Sequence, residues 1–86
     1  MPVICRFYGL VIMIHCDDHC PPHFHVKYSE KMAAFDIETL DIIAGELPPK
    51  AENMVIEWAH KHRKELIDNW NRAQKHIPLN KIEPLE

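Results

Sequence analysis

The clearest pattern in the chain is a pair of two-residue alternations between His23 and Glu38. The apolar members are Phe24, Val26, Tyr28, Ala33, Phe35 and Ile37, and the members between them are His23, His25, Lys27, Ala34, Asp36 and Glu38. Successive side chains of a β-strand point to opposite faces of the sheet. The spacing therefore predicts a hairpin with one apolar face and one polar face that carries the histidines.

A two-residue loop at Glu30 and Lys31 would bring both sets into register. The facing pairs would then be Tyr28 with Ala33, Val26 with Phe35, Phe24 with Ile37, His25 with Asp36, and His23 with Glu38. A slip by one residue would turn the histidines toward the core, so the agreement of both faces favours this register.

Further strands are predicted on both sides of the hairpin. Residues 3–8 and 10–15 are rich in β-branched and aromatic side chains, with Gly9 between them as a bend or bulge. Residues 17–22 contain turn formers and two prolines, which predict a loop. Residues 40–46 add a short further strand.

A long helix is predicted over residues 49–75. Proline is tolerated in the first turn, where Pro48 and Pro49 stand. Residues at spacings of three and four then form an apolar stripe: Ala51, Val55, Trp58, His62, Leu66, Trp70 and Ala73. The segment 78–85 is expected to lie extended across the domain or across a partner.

These elements predict an α+β fold in a single domain over residues 1–86. We expect a small antiparallel sheet of three to five strands, one long C-terminal helix packed on one face, and an extended C-terminal tail. The strand edges of such a sheet are natural pairing sites, which favours a homo-oligomer or a complex with another protein.

Composition narrows the function classes. The 86 residues are 47% hydrophobic and carry a net charge of -3, which does not favour sequence-independent nucleic-acid binding. The chain has only two glycines, so a glycine-rich phosphate loop is not expected. Three cysteines and no export signal or long apolar run indicate a cytoplasmic protein.

Several motifs together resemble a known family. They are residues 2–9 (PVICRFYG), 18–28 (DHCPPHFHVKY), 35–37 (FDI), 47–48 (LP) and 82–85 (IEPL), with Trp58 and Trp70 in the helix. The chain resembles, over nearly its whole length, the small bacterial domain of unknown function number 4160, which has a D-H-x-P-P-H-F-H motif. The resemblance implies no catalytic residue. It implies a gene beside a second small gene, similar to toxin and antitoxin pairs.

The histidines of the hairpin are the candidate site residues. His15, His19, His23 and His25 lie within eleven positions and are candidate ligands of a divalent transition metal such as zinc, with Cys16, Asp17, Asp18 and Cys20 close in sequence. Their spacing matches none of the strong zinc signatures.

Two metal-free interpretations stand beside this one. In the first, Asp36 and Glu38 hydrogen-bond His25 and His23 across the hairpin and the site is structural. In the second, His19, His23, His25 and Asp36 perform acid and base catalysis, as in a ribonuclease.

The leading functional hypothesis is a protein-interaction module of a toxin-antitoxin-like gene pair, with the histidines on a polar surface. The expected partner is a small protein encoded by a neighbouring gene, or a second copy of the chain. The alternative is a histidine-dependent or metal-dependent nuclease or hydrolase of toxin type.

Overall fold

The fold is a five-stranded antiparallel sheet followed by two helices, so the predicted α+β class is confirmed. The computed structural model describes residues 2–16 and 19–86. The elements are β1 (Val3–Phe7), β2 (Leu10–Met13), β3 (His23–Tyr28), β4 (Lys31–Asp36), β5 (Ile42–Gly45), α1 (Pro49–Lys61) and α2 (Arg63–Gln74). The strands pair in chain order from β1 to β5. Gly9 lies in a two-residue turn between β1 and β2, so the two predicted segments are separate strands.

The β3–β4 hairpin has the predicted apolar face, but its register differs from the prediction by two residues. The loop is Ser29 and Glu30, and Ser29 has a φ of 57°. A positive φ at this position suits the twist of a two-residue hairpin. A shift by two residues leaves every side chain on the same face.

All five predicted hairpin pairs are therefore wrong, namely Tyr28 with Ala33, Val26 with Phe35, Phe24 with Ile37, His25 with Asp36, and His23 with Glu38. The observed pairs are His23 with Asp36, Phe24 with Phe35, His25 with Ala34, Val26 with Ala33, Lys27 with Met32, and Tyr28 with Lys31.

The predicted single helix over 49–75 is two helices with a break at His62. The His62 N–H donates to the Ala59 carbonyl instead of the carbonyl four residues back, and its φ is -120°. The ring N–H of His62 donates to the Glu65 carboxylate over 2.6 Å, in the first turn of α2. The Arg63 Nε donates to the Ile37 carbonyl at the end of β4. This contact draws the start of α2 toward that end of the sheet.

The core is centred on Trp58, which is fully buried in α1. Its ring centroid lies 5.5 Å from that of Phe7 and 6.1 Å from that of Phe24, and Phe24 stacks on Phe35 at 5.4 Å. Helix α1 therefore covers the apolar face of the sheet.

The tail lies extended along β1, as predicted. The Ile82 N–H donates to the Ile4 carbonyl, and the Trp58 Nε1 donates to the Glu83 carbonyl. Asn69 and Asn80 form a reciprocal pair, in which the Asn69 amide donates to the Asn80 carbonyl and accepts from its N–H. The bond from Ile82 to Ile4 occupies part of the free edge of β1. No helix in the described residues is long and apolar enough to cross a membrane.

Gly45 and Gly9 offer a matched test of the sheet. Both have a positive φ, +74° and +82°, so Ala carries a backbone cost of roughly 1–2 kcal/mol at either position. An added Cβ at Gly45 would stand 2.1 Å from the Met32 carbonyl oxygen, whereas at Gly9 it would meet only the Tyr28 ring at 3.4 Å. We expect Gly45→Ala to lower the free energy of unfolding by about 1–3 kcal/mol more than Gly9→Ala. Urea denaturation of both variants measures this difference, and equal losses would contradict the packing at the β4–β5 edge.

Candidate functional site

Three of the four candidate histidines meet at one end of the sheet. Antiparallel pairing places Met13 of β2 opposite His25 of β3. The His15 ring, two residues beyond Met13, lies 4.2 Å from the His25 ring, centroid to centroid, and the two planes are nearly perpendicular. His23 lies 5.1 Å from His25 on its other side. We call His15, His23 and His25 the histidine cluster.

His23 is the most enclosed member of the cluster. Its side chain is 8% exposed, and its ring lies 5.2 Å from the ring of Trp70 in α2. The Nδ1 lies 2.7 Å from the Pro21 carbonyl oxygen. A carbonyl only accepts, so Nδ1 must carry the proton and donate it.

Asp36 does not stand where the sequence analysis placed it. It lies opposite His23 in the backbone register, while His25 lies opposite Ala34. Its Oδ1 accepts the N–H groups of Glu38 and Thr39 over 2.7 and 3.1 Å. The carboxylate thus stabilises the turn that follows β4.

The remaining candidate ligands among the described residues lie at the protein surface. His19, Cys16 and Cys20 are exposed. Asp17 and Asp18, which were expected to support a metal shell, lie outside the described residues. Among residues 2–16 and 19–86, no group of three or more His, Cys, Asp and Glu side chains is arranged to hold a metal ion.

The three cysteines are free, and they differ in reactivity. Burial raises the pKa of the Cys5 thiol above its ordinary value. The thiolate is the nucleophilic form, so Cys5 is an inert core residue. Cys16 and Cys20 are exposed to reagents.

The cluster borders a sheet surface that α1 does not cover. This surface is opposite the side on which Trp58 packs, and we call it the outer face. Two rows of paired residues build it: Val3, Met13, His25, Ala34 and Ala44, and beside them Arg6, Val11, Lys27 and Met32. Met13 and Ala34 are buried between their neighbours, and the other seven are half-buried or exposed.

Trp70 is the site residue that the sequence analysis placed elsewhere. It was expected only as part of the core stripe of a straight helix. Trp70 lies in the separate helix α2, and its ring forms one wall around His23. The available signal for the helix break was His62, a polar residue within the apolar stripe of the predicted helix.

Substitution of His23 tests this geometry. We expect His23→Ala to lower the free energy of unfolding by about 1–3 kcal/mol, because the Pro21 carbonyl loses its donor and Trp70 loses its neighbour. His23→Asn should recover part of the loss, since its amide can reach the same carbonyl. His25→Ala is the control, because His25 is only half-buried. Equal losses in all three variants by urea denaturation would contradict the burial of His23.

Comparison with known proteins identifies the family of the chain but not its activity. No curated protein and no solved structure matches it. A family model described as a domain of unknown function, DUF4160, matches residues 9–71. These residues include strands β2 to β5, all of α1 and the first three quarters of α2. This match covers well over half of the chain, and the protein belongs to the DUF4160 family.

Proposed function

We propose that this protein is an interaction module of a toxin-antitoxin-like gene pair, and that its partner protein docks on the outer face beside the histidine cluster. The observation that carries the proposal is the composition of that face. Aliphatic side chains and one imidazole form a continuous row across five paired strands, and Arg6 and Lys27 stand beside the row.

This composition is typical of a protein interface, in which a weakly polar centre is bordered by charged residues. Met32 is 39% exposed and Ala44 is exposed, although both are apolar.

The proposed partner is a small protein encoded by a neighbouring gene, and the second choice is another copy of this chain. The net charge of -3 makes a nucleic acid the less favoured partner. The proposal places the module in the reducing cytoplasm, which three free cysteines support.

Co-expression with the product of the adjacent gene tests the proposal. We expect the two proteins to co-purify, and Met32→Glu to weaken the complex by roughly tenfold or more, because it places a carboxylate on the docking surface. Affinity capture on a tagged partner, followed by size-exclusion chromatography at micromolar concentration, measures the complex.

Ile77→Glu is the matched control. Ile77 is 43% exposed, close to Met32 in exposure, and it lies outside the sheet. It should leave the complex unchanged. Separate migration of the two wild-type proteins, or equal loss in both variants, would contradict docking on the outer face.

A histidine-dependent or metal-dependent nuclease is the second candidate function. The observation that favours it is the ring contact between His15, His23 and His25, because adjacent imidazoles can serve as base and acid toward an RNA hydroxyl. A divalent metal such as zinc, held by the cluster together with His19, is the metal-dependent form of this candidate.

The double variant His23→Ala/His25→Ala tests this second candidate. If it holds, the wild type cleaves RNA or contains stoichiometric zinc, and the double variant loses that activity or that metal. His60→Ala, at an exposed position in α1, should behave as the wild type. RNA hydrolysis assays and elemental analysis of the untagged proteins provide the readouts. Equal RNA cleavage and equal zinc content in all three proteins would show that His23 and His25 take no part in either activity.

A further inference from the structure

Tyr8 occupies a position for which its side chain is poorly suited. Tyr8 and Gly9 form the two-residue turn between β1 and β2, and both have a positive φ, 47° and 82°. Such turns favour Asn, Asp or Gly at both positions. A tyrosine there costs roughly 1 kcal/mol in backbone conformation. Its side chain is nevertheless 61% exposed, so burial in the core does not offset that cost.

The Tyr8 side chain instead forms a wall of an open groove. This cavity of about 440 Å³ is lined by Tyr8, Tyr28, Pro48, Lys50, Ala51 and Met54. A second cavity of about 360 Å³ shares Tyr28 and Pro48 with it, so the two cavities adjoin, and we call them together the groove. The groove lies at the end of β2 where Leu10 stands, whereas the histidine cluster lies past Met13 at the other end.

In the larger cavity, the charge of Lys50 favours a ligand with a carboxylate. Of the described residues that line the larger cavity, only Lys50 is charged. Helix α1 begins at Pro49 without a side-chain cap, so the positive end of its dipole faces this region. Glu52 lies in the same turn and offsets part of that charge. In the smaller cavity, Glu30 stands beside Lys31, which is paired with Glu46 at 3.5 Å.

We infer that this groove binds an extended, proline-containing segment of a partner protein that carries an acidic residue next to the proline. Proline rings pack against aromatic side chains, and grooves lined by such side chains are a recurring way to bind polyproline II segments. The carbonyl groups of such a segment have no internal hydrogen bonds. The hydroxyls of Tyr8 and Tyr28 can donate to them, while Lys50 pairs with the acidic residue.

The chain's own tail contains a similar sequence, Glu83 and Pro84. Within one molecule this segment is engaged elsewhere, because the Glu83 carbonyl accepts the Trp58 Nε1. A tail exchanged between two copies would fill the groove only with loss of that bond. Another protein is therefore the favoured source of the segment.

Tyr8→Asn separates binding from folding. Asn suits the turn better than Tyr, so the urea midpoint should stay equal or rise, while the aromatic wall is lost. We expect a panel of octapeptides with Glu-Pro and Pro-Pro steps to bind the wild type, and Tyr8→Asn to weaken binding by roughly tenfold or more. Calorimetry or NMR titration of the full chain measures the affinity.

Three controls sharpen the result. Ile77→Asn changes a similarly exposed residue outside the groove and should bind as the wild type. Replacing proline by alanine in the peptide should abolish binding. The Lys50→Glu variant should no longer bind the acidic peptide. It should instead bind a peptide in which lysine replaces the acidic residue. The effect of Met32→Glu on the complex with the adjacent gene product is a separate measurement, because Met32 lies on the outer face and not in the groove.

The inference is overturned if no peptide of the panel binds up to about 1 mM. It is also overturned if Tyr8→Asn binds as tightly as the wild type, or if the alanine peptide binds equally well. Dimerisation of the wild type that Tyr8→Asn abolishes would identify a second copy, and not another protein, as the occupant.

Discussion

The Trp58 side chain joins the three parts of this small fold. Its ring packs between α1 and the sheet against Phe7 and Phe24, and its Nε1 donates to the Glu83 carbonyl of the tail over 2.7 Å. A buried tryptophan of this kind contributes on the order of 3–5 kcal/mol, a large share of the stability of a domain this size. The hydrogen bond satisfies the one polar atom of the ring. It also places the tail where Ile82 can pair with β1.

The sequence was sufficient to predict which face of each hairpin strand is buried, but not which residues lie opposite each other. Phe24 and Val26 are fully buried, as the alternation predicts. The alternation has a period of two, so a shift by two residues satisfies it equally well. Only the position of the turn distinguishes the two registers. The positive φ of Ser29 places the turn one residue earlier than predicted. The predicted partners of His23 and His25 were wrong for this reason alone.

The sequence was sufficient to predict that histidines form the candidate site, but not how their side chains are arranged and buried. Strand geometry was enough to place His23 and His25 on one side of β3. The burial of His23 was not predictable, because it depends on Trp70, and the position of Trp70 depends on the helix break at His62. Arg63, which donates to the Ile37 carbonyl, directs α2 toward the histidines. A local pattern of three and four residues carries no information about a contact between a helix and a strand end 26 residues away.

Tyr8 and His23 are two of the positions that depart from local preference, and they lie near opposite ends of the sheet. A sequence that follows only local preference would place Asn or Gly at Tyr8 and an apolar residue at His23. Such departures concentrate at functional positions, because stability alone would remove them. At His23 the fold compensates fully, since Pro21 and Trp70 enclose the ring. At Tyr8 the exposed ring receives no comparable enclosure. The stronger case for an external ligand therefore lies at the groove lined by Tyr8 and Tyr28.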